Sequence, residues 1–434
     1  MISVPKKVET ILQTLENAGF EAYAVGGAVR DSLLGKMPGD WDLCSAATPE
    51  QAHALFPQVL DTGLRHGTVT ILSENERFEL TTFRLEGSYP DHRRPASVTF
   101  TESIRADLSR RDFTVNAMAY SPGRGLIDPF GGQRDLRAGV IRTVGAPELR
   151  FRDDALRILR GLRFSSELGF SIDPETGREM QKQRQSLSLL SAERVQQELW
   201  KMLKGQRVAP ILREYRDVFA VILPELAPMF DFNQHNPHHI YDVWEHTLHT
   251  VEQAGADPLL RLTMLLHDCA KPARFTVDFR GDGHFYGHAP AGAIRAKQAL
   301  NRLRFDGETV ARVSRLIHYH DHDLLATERS LLYWLNLLGE EDLHRLIRIK
   351  IADNQAQNPR YDRTAAFYET EKALDTLLAR NPCYRREMLA VNGRDLQALG
   401  LRGKAIGQTL DALLHLVMDG TVPNERQALL AAVK

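Results

Sequence analysis

Asp40 and Asp42 are the residues whose type and spacing point most directly to chemistry. The run Asp40-Trp41-Asp42-Leu43 alternates acidic and apolar side chains. On a strand, alternate side chains share a face, so the two carboxylates would project together, about 7 Å apart. Carboxylate oxygens favour Mg²⁺, and a pair of Mg²⁺ ions supports phosphoryl and nucleotidyl transfer. An isolated Asp-x-Asp is more often a solvated turn, so the pair needs a second feature beside it.

Gly26 and Gly27 supply that second feature. They follow the apolar run Tyr23-Ala24-Val25 and precede a segment of helical composition. A glycine turn that leads into a helix N-terminus exposes unpaired backbone N–H groups and the positive end of the helix dipole, both of which suit phosphate oxygens. Most glycine pairs before helices are ordinary turns. The combination with the two aspartates therefore carries the prediction of nucleotidyl or phosphoryl transfer.

The pattern GGxxRD followed by DWD, within residues 26–42, resembles the catalytic signature of polymerase-β-like nucleotidyltransferases. Within that group it resembles the class II tRNA nucleotidyltransferase and poly(A) polymerase family, as do the runs RRDFTVNA (110–117), DPFGGQRDL (128–136) and ERVQQEL (193–199). The resemblance implies that Asp40 and Asp42 are catalytic and hold Mg²⁺. It also implies nucleotide-binding roles for a further set of residues: Gly27, Arg30, Arg111, Asp112 and Asn116.

The segment Arg152–Phe164 is predicted as a single helix that reads the nucleotide base. Asp154 and Arg157 would lie on one face of it, and a surface salt bridge is the usual meaning of such a pair. Cytosine and adenine each present an amino donor beside a ring-nitrogen acceptor, so a carboxylate beside a guanidinium complements both. Uracil and guanine present the reverse pattern and would leave buried groups unpaired. Two further arginines follow at the same spacing and are assigned to nucleotide binding: Arg160 and Arg163.

The family motif at this segment is Glu-Asp-x-x-Arg, and the present chain has Asp153 in place of the glutamate. Glu79, on a β-rich run, is either a third carboxylate for the metals or a surface strand residue. Between Arg105 and Arg163 there are twelve arginines, no lysine and seven acidic residues, an excess of planar donors that suits triphosphate and RNA backbone. The polar segment Arg84–Leu108 is predicted to begin as a mobile loop. Its full length, by the resemblance, implies that adenosine is added as well as cytidine.

Histidines are concentrated in the second half of the chain, where eleven of the sixteen fall between positions 235 and 322. A single helical histidine is usually packed or exposed without a special role. The ordered series His246, His267-Asp268 and Asp353 resembles the HD phosphohydrolase domain, which implies that these four residues bind a metal. Imidazole and carboxylate ligands suit Mn²⁺, Fe, Ni²⁺ or Zn²⁺, and a metal-bound water would attack a phosphoester.

The predicted fold class is an α/β nucleotidyltransferase (polymerase-β-like) head with a mixed sheet, followed by an all-α neck, HD-like body and tail. The predicted boundaries are a catalytic head at 1–140, a helical neck for base recognition at 141–210, a helical body with the HD domain at 211–355, and a helical tRNA-binding tail at 356–434. Short β-rich runs occur before about residue 120 and helical patterns after it. Glycines mixed with Arg and Lys at 393–407 suggest a contact with RNA backbone.

The amino-acid composition excludes several classes of protein. The 434 residues have 43% hydrophobic content and a net charge of −1, typical of a soluble protein and not of a uniformly basic nucleic-acid binder. Three scattered cysteines argue against a disulfide framework and fit a reducing cytosol. The sequence has no signal pattern and no apolar run of membrane-spanning length. We therefore predict a cytoplasmic location and no membrane association.

The resemblance implies template-independent addition of CCA to the 3′ end of tRNA, with tRNA, CTP and ATP as partners and Mg²⁺ in the head. No obligate protein partner is inferred. An A-adding tRNA nucleotidyltransferase and a poly(A) polymerase remain as alternatives, although the latter tends to carry a basic C-terminal extension that this sequence does not show. A non-enzymatic tRNA-binding scaffold is the alternative from a different class, and the intact Asp40, Asp42 and Arg111 argue against it.

Overall fold

A mixed sheet forms the centre of the N-terminal half of the chain. The computed structural model describes residues 2–74, 76–87 and 97–433. The strands of the first half are β1 Ala22–Val25, β2 Asp42–Ser45, β3 Val59–Gly63, β4 Thr68–Ser73, β5 Glu76–Thr82, β6 Arg84–Glu86, β7 Val98–Phe100, β8 Ala119–Ser121, β9 Gly125–Ile127, β10 Val140–Ile141 and β11 Ser171–Ile172. In the described part of the chain, seven of them make one sheet in the order β3-β4-β5-β2-β1-β8-β9. Only β2 and β5 are parallel neighbours in it, which confirms the mixed sheet.

The pairing of β1 with β2 positions the glycine turn beside the aspartates. The register sets Val25 opposite Asp42, so the turn that follows β1 begins next to the start of β2. A buried cluster that includes Tyr23, Cys44 and Phe83 holds these two strands against the neighbouring elements. The sequence prediction of a strand through Asp40 was wrong in detail. Asp40 lies in the loop just before β2, and only Asp42 belongs to the strand.

Helices surround the sheet and continue after it. Those of the first half are α1 Lys6–Asn17, α2 Gly27–Leu33, α3 Pro49–Leu55, α4 Ile104–Ser109, α5 Gly132–Ala138, α6 Pro147–Asp153, α7 Leu156–Leu168, α8 Pro174–Lys182, α9 Ala192–Met202, α10 Val208–Glu214 and α11 Arg216–Ile222. The predicted single helix Arg152–Phe164 is in fact two helices, because Asp154 has an extended backbone (φ −143°, ψ 108°) between α6 and α7. The Asp154 side chain accepts a hydrogen bond from the N–H of Leu156 (3.0 Å), which satisfies a free donor at the start of α7.

The C-terminal half is nearly all helical, as predicted. Its helices are α12 Val243–Gln253, α13 Pro258–Leu266, α14 Lys271–Arg274, α15 His288–Arg302, α16 Gly307–Tyr319, α17 Glu328–Leu338, α18 Glu340–Gln355, α19 Thr364–Leu378, α20 Gly393–Ala398, α21 Lys404–Met418 and α22 Arg426–Ala431. Two short ladders are exceptions to the all-α prediction for residues after 140. They are the parallel pair of β10 with β11 and the antiparallel pair of β12 Thr276–Val277 with β13 Gly283–His284.

The chain divides into two compact units, Met1–Pro224 and Glu225–Lys434. The finer four-part division remains a prediction. The predicted loop within Arg84–Leu108 is described only at its ends, where β6 and β7 pair antiparallel, and residues 88–96 lie outside the described residues. Among the described helices, none has the combination of length and apolar composition that crossing a membrane requires.

Candidate active site

A cleft of about 620 Å³ in the first unit is lined by seven arginines and five aspartates. The arginines come from α2, from the segment after α4, and from α7 and α9. The cleft brings together every residue that the sequence assigned to catalysis or nucleotide binding in the head and neck: Gly27, Arg30, Asp40, Asp42, Arg111, Asp112, Asn116, Asp154, Arg157, Arg160 and Arg163. Glu79 is not among the lining residues. It lies exposed on β5 opposite Thr70, which favours the surface alternative for this glutamate.

Asp40 and Asp42 form the acidic side of the cleft. Desolvation raises the pKa of the Asp42 carboxyl, the negative charge of Asp40 raises it further, and Arg111 opposes both effects. A cation beside Asp42 would offset both the desolvation and the neighbouring negative charge that disfavour its ionisation. The oxygen-only donor set is therefore suited to Mg²⁺.

Gly26 adopts a backbone conformation that suits glycine (φ +70°). A Cβ at this position would lie 3.2 Å from Nη1 of Arg111, so the absent side chain also leaves room for that guanidinium. Arg30, one turn into α2, donates from Nη1 to the side-chain oxygen of Asn116 (2.7 Å). The glycine turn and the RRDFTVNA run therefore meet at the same wall of the cleft.

Asp112 is the buried acceptor at the centre of this wall. Its Oδ2 accepts from Nε of Arg160 (2.7 Å), and its Oδ1 accepts from the N–H of Phe113 (2.8 Å) and from Nδ2 of Asn116 (3.3 Å). Burial would raise the pKa of Asp112, but Arg160 and the Phe113 N–H together hold it below its ordinary value. Asp112 is therefore ionised at neutral pH and fixes Arg160, with the chain of contacts continuing through Asn116 to Arg30.

Asp154 and Arg157 both line the cleft, but they are held by different partners. Asp154 Oδ2 accepts from Nη2 of Arg194 on α9 (2.7 Å). Arg157 donates to two backbone carbonyls, those of Arg110 (3.0 Å) and Arg150 (3.3 Å). The predicted arrangement of the pair on one helix face was wrong, because the break between α6 and α7 separates them. Each group is nevertheless oriented by contacts that leave hydrogen-bonding capacity free.

Arg194 is a residue whose contribution the sequence understated. The sequence indicated only that the ERVQQEL run resembles a family motif, and Glu198 of that run contacts the Nε atom of Arg163 at 2.5 Å. Arg194 instead enters the cleft.

Phe164 is a second lining residue of the cleft that the sequence did not assign to the site. Its ring lies under the guanidinium of Arg163, with 3.9 Å from Cζ to the ring centroid. The mixed charged and apolar helix pattern was the available signal, but it does not specify which side chain faces the cleft.

The second unit brings together the four residues predicted as an HD-type metal site. Asp353 Oδ1 lies 2.9 Å from Nε2 of His246 and 3.6 Å from Nε2 of His267. Asp268 Oδ2 lies 3.6 Å and 3.1 Å from the same two nitrogens. Both histidines and Asp268 are buried. Donor atoms at such separations fit neighbouring positions around one transition-metal ion.

Charge within this group favours a cation. Burial lowers the pKa of His267, but Asp268 and Asp353 outweigh it and raise that pKa to about 10. Burial likewise opposes ionisation of Asp268, while His267 and Lys271 hold the pKa of its carboxyl well below the ordinary value. The carboxylates thus favour positive charge at the imidazole nitrogens that face them, which a divalent metal would supply.

His288 and His320 lie in the same group, although the sequence did not assign them as ligands. His288 begins α15 and His320 follows α16, and both are buried. They appear in the sequence as two more members of a histidine-rich segment, and only their spatial position separates them from their neighbours. Beside the group lies a cavity of about 470 Å³. Its lining includes His320, three cations and four aspartates: Lys350, Arg360, Arg363, Asp321, Asp323, Asp353 and Asp362.

Comparison with known proteins gives matches over most of the chain. Residues 22–142 match the Poly A polymerase head domain, residues 169–230 the probable RNA and SrmB-binding site of polymerase A, and residues 294–433 a tRNA nucleotidyltransferase domain 2. Residues 231–293, which carry His246, His267 and Asp268, lie between the second and third matches. The HD resemblance therefore rests on the residues themselves.

Named relatives agree with these domain matches. A CCA-adding enzyme of Levilactobacillus brevis is 35% identical over 98% of this chain and 96% of its own length. A CCA-adding enzyme of Geobacillus stearothermophilus is 47% identical over 47% of this chain and 51% of its own length. Among solved structures, the Bacillus stearothermophilus CCA-adding enzyme in complex with CTP superimposes with a TM-score of 0.74 at 28% identity, covering 98% of this chain and 96% of that one.

We expect the substitution Asp112→Asn to lower the free energy of unfolding of the first unit by about 1–3 kcal/mol at neutral pH, because Arg160 loses its buried charged partner. The pKa of Asp112 is lower in the folded protein than in the unfolded chain, where it is about 3.9. The stabilisation that Asp112 contributes to folding is therefore present above about pH 3.9, and it is lost as the pH falls through the pKa of the folded state. The difference in free energy of unfolding between the wild-type protein and the variant should therefore become smaller at acidic pH. Denaturant unfolding from pH 7 to pH 3 measures it, with Asp61→Asn on exposed β3 as control. A difference that grew on acidification would contradict this role.

Proposed function

The chain belongs to the family of CCA-adding tRNA nucleotidyltransferases, and on that premise we propose that it adds C, C and A to the 3′ end of tRNA from CTP and ATP in the cytoplasm. The observation that supports this most is the convergence of the aspartate pair, the glycine turn and the arginine-rich helices on one cleft. The alternatives, an A-adding enzyme and a poly(A) polymerase, would use the same cleft and differ in their products.

Asp40 and Asp42 are proposed to hold Mg²⁺, which supplies activation of the terminal 3′-hydroxyl and neutralisation of the departing pyrophosphate. The Gly27 amide and Arg30 bind the triphosphate, whereas the Gly26 N–H already donates to the carbonyl oxygen of Met118 (3.3 Å). Arg111 and Asn116 orient the sugar and phosphates, since both are held by contacts within the same wall. Asp112 keeps Arg160 in position through its two charge-assisted contacts.

Base choice without a template is proposed to rest on Asp154 and Arg157. Asp154 keeps lone pairs free for an amino group, and Arg157 keeps N–H donors free for a ring nitrogen. The contacts with Arg194 and the backbone carbonyls hold both groups in place before the nucleotide binds. Because both groups are held in place, binding of an unmatched base is unfavourable, since hydrogen-bonding groups of that base would be buried without partners.

The first experiment supplies the full-length protein with four tRNAs that lack zero, one, two or three terminal nucleotides, together with labelled CTP or ATP, and reads product lengths. We expect completion of CCA on each incomplete tRNA and no extension of the complete one. Asp40→Asn should abolish every addition, while Asp61→Asn, an exposed carboxylate in the same unit, should behave as the wild-type protein.

Each other outcome has a definite meaning. Extension only of the tRNA that already ends in CC would identify an A-adding enzyme, and a long adenosine ladder would identify a poly(A) polymerase. If the wild-type protein extended none of the tRNAs, the result would favour the alternative of a non-enzymatic tRNA-binding scaffold. Normal extension by the Asp40→Asn protein would contradict the metal assignment.

We expect Asp154→Ala to relax base choice while leaving addition measurable. Loss of a buried hydrogen bond worth about 1–3 kcal/mol corresponds to roughly a 5- to 150-fold fall in discrimination of CTP over UTP and of ATP over GTP. Arg194→Met should give a smaller effect of the same kind, because it acts through the orientation of Asp154. Single-turnover incorporation of each of the four nucleotides provides the measurement. The matched control is Glu193→Ala, an exposed neighbour on α9. Unchanged discrimination in Asp154→Ala would refute the base-reading role.

A second activity is proposed for the HD-type group in the second unit. His246, His267, Asp268 and Asp353 would bind Mn²⁺, Ni²⁺, Fe or Zn²⁺, which when bound supplies an activated water for phosphoester hydrolysis. The neighbouring cavity offers three cationic side chains as partners for a phosphate, those of Lys350, Arg360 and Arg363, and four aspartates line it as well. This activity would use residues separate from those of the nucleotidyltransferase cleft.

We expect the wild-type protein to hydrolyse 2′-phosphorylated or 2′,3′-cyclic nucleotide ends when Ni²⁺ or Mn²⁺ is added. His267→Ala should lose this activity and keep CCA addition, since its imidazole is a proposed ligand. His322→Ala, an exposed histidine just after α16, is the control. Phosphate release and product chromatography measure the reaction. Equal hydrolysis by the wild-type and His267→Ala proteins would overturn the assignment.

A further inference from the structure

The ring of Phe164 lies close to three guanidinium groups of the cleft. Its centroid is 3.9 Å from Cζ of Arg163, 5.3 Å from Cζ of Arg160 and 5.3 Å from Cζ of Arg30. The ring and all three arginines line the cleft, and the ring is 5% exposed. An aromatic face attracts a guanidinium group within about 6 Å of its centroid, and the attraction is stronger where water is excluded. One apolar side chain is therefore a common partner for cations of α2 and α7.

The hydrogen bonds of the three guanidinium groups go to other residues. Each group is held by at least one carboxylate: Arg30 by Asp31, Arg160 by Asp112, and Arg163 by Glu167 and Glu198. A guanidinium group carries five N–H donors, and these contacts use only some of them. Attraction to an aromatic face uses the positive charge and no N–H donor. The ring therefore adds to the hold on the three cations and leaves N–H donors for a phosphate.

Phe164 is itself fixed by the core of the first unit. The buried ring of Phe113 packs against it edge to face, with centroids 5.9 Å apart and an angle of 81° between the planes. Gly161 makes room for this pair, because a Cβ there would lie 2.9 Å from Cζ of Phe113. Phe113 directly follows Asp112, the carboxylate that binds Arg160. The position of the Phe164 ring is thus set by the same segment that supplies the carboxylate.

Ordering of the arginines before the substrate arrives favours binding. A long side chain loses conformational entropy when a substrate orders it, and a side chain that is already ordered loses less. We propose that Phe164 is a positioning residue for the triphosphate, whose ring holds Arg30, Arg160 and Arg163 where the phosphates meet them. The inference rests on the proposed nucleotidyl transfer and deepens it, because it assigns an apolar side chain to phosphate binding. The attraction does not involve the base, so CTP and ATP should depend on it equally.

The test weakens the negative face of the ring and keeps its shape. Phe164 of the full-length protein is replaced, by suppression of an amber codon, with phenylalanines that carry one, two or three fluorine atoms on the ring. Isothermal titration calorimetry gives the Kd of CTP and of ATP with Mg²⁺ and without tRNA, so that no nucleotide is incorporated. We expect both Kd values to rise with each fluorine, reaching roughly 5- to 30-fold with three, by the same factor for the two nucleotides.

The matched control is the same fluorine series at Phe219, a buried ring on α11 of the same unit. It should leave both Kd values unchanged, which separates the charge distribution of the ring from the added size of fluorine. Phe164→Leu keeps an apolar side chain without an aromatic face, and it should weaken both nucleotides at least as much as three fluorine atoms do. The fluorine series decides the question if the leucine variant fails to fold.

Each other result has a definite meaning. Equal Kd values across the Phe164 series would overturn the inference and leave the ring as a packing residue, while completion of CCA by the wild-type protein would keep the proposed function. Tighter binding on fluorination would also overturn it, because the ring would then compete with the phosphates for the guanidinium groups. A loss confined to CTP or to ATP would assign the ring to base choice instead. If the wild-type protein bound neither nucleotide, both proposals would fail.

Discussion

The nucleotidyltransferase cleft depends on one continuous chain of contacts centred on the buried carboxylate of Asp112. That carboxylate binds Arg160 on α7, accepts from Asn116, and through Asn116 is linked to Arg30 on α2. Residues from three separate segments are thereby held at one wall. A carboxylate in this position also offsets the repulsion among the guanidinium groups, which would otherwise resist being brought together before an anionic substrate binds.

The two sides of the cleft carry opposite charge for different reasons. Asp40 lies just before β2 and Asp42 begins it; desolvation and the charge of Asp40 raise the pKa of Asp42, so the pair is suited to a cation. The arginines are held by carboxylates or backbone carbonyls, and they keep donors directed at the cleft. Rigid positioning of both sets before substrate binding reduces the reorganisation needed during reaction. The α6–α7 break contributes directly, because it frees Asp154 from the helix and lets Arg194 orient it.

The histidine group of the second unit is organised by the backbone. Helix ends and turns place a carbonyl oxygen against each Nδ1, so the tautomer is decided by main-chain geometry before any ligand binds. Asp268 directly follows His267 at the end of α13, where its two oxygens reach toward different histidines. Residues of α12, α15 and α18 and the C-terminal ends of α13 and α16 thus meet in one group, because these five helices pack together.

The sequence by itself determined the types of residue available for chemistry, the mixed-sheet head, the helical second half and the membership of the site around Asp40, Asp42 and Asp112. The residue types and the helical second half follow from composition and side-chain periodicity, whereas the membership of the site follows from short motifs that resemble those of a known family. Only the tertiary structure decided that Asp154 pairs with Arg194, forty residues away, that Glu79 stays outside the cleft, and that His288 and His320 face each other across Asp268. Such contacts join distant segments, and they are set by how helices and strands pack, which no local pattern encodes.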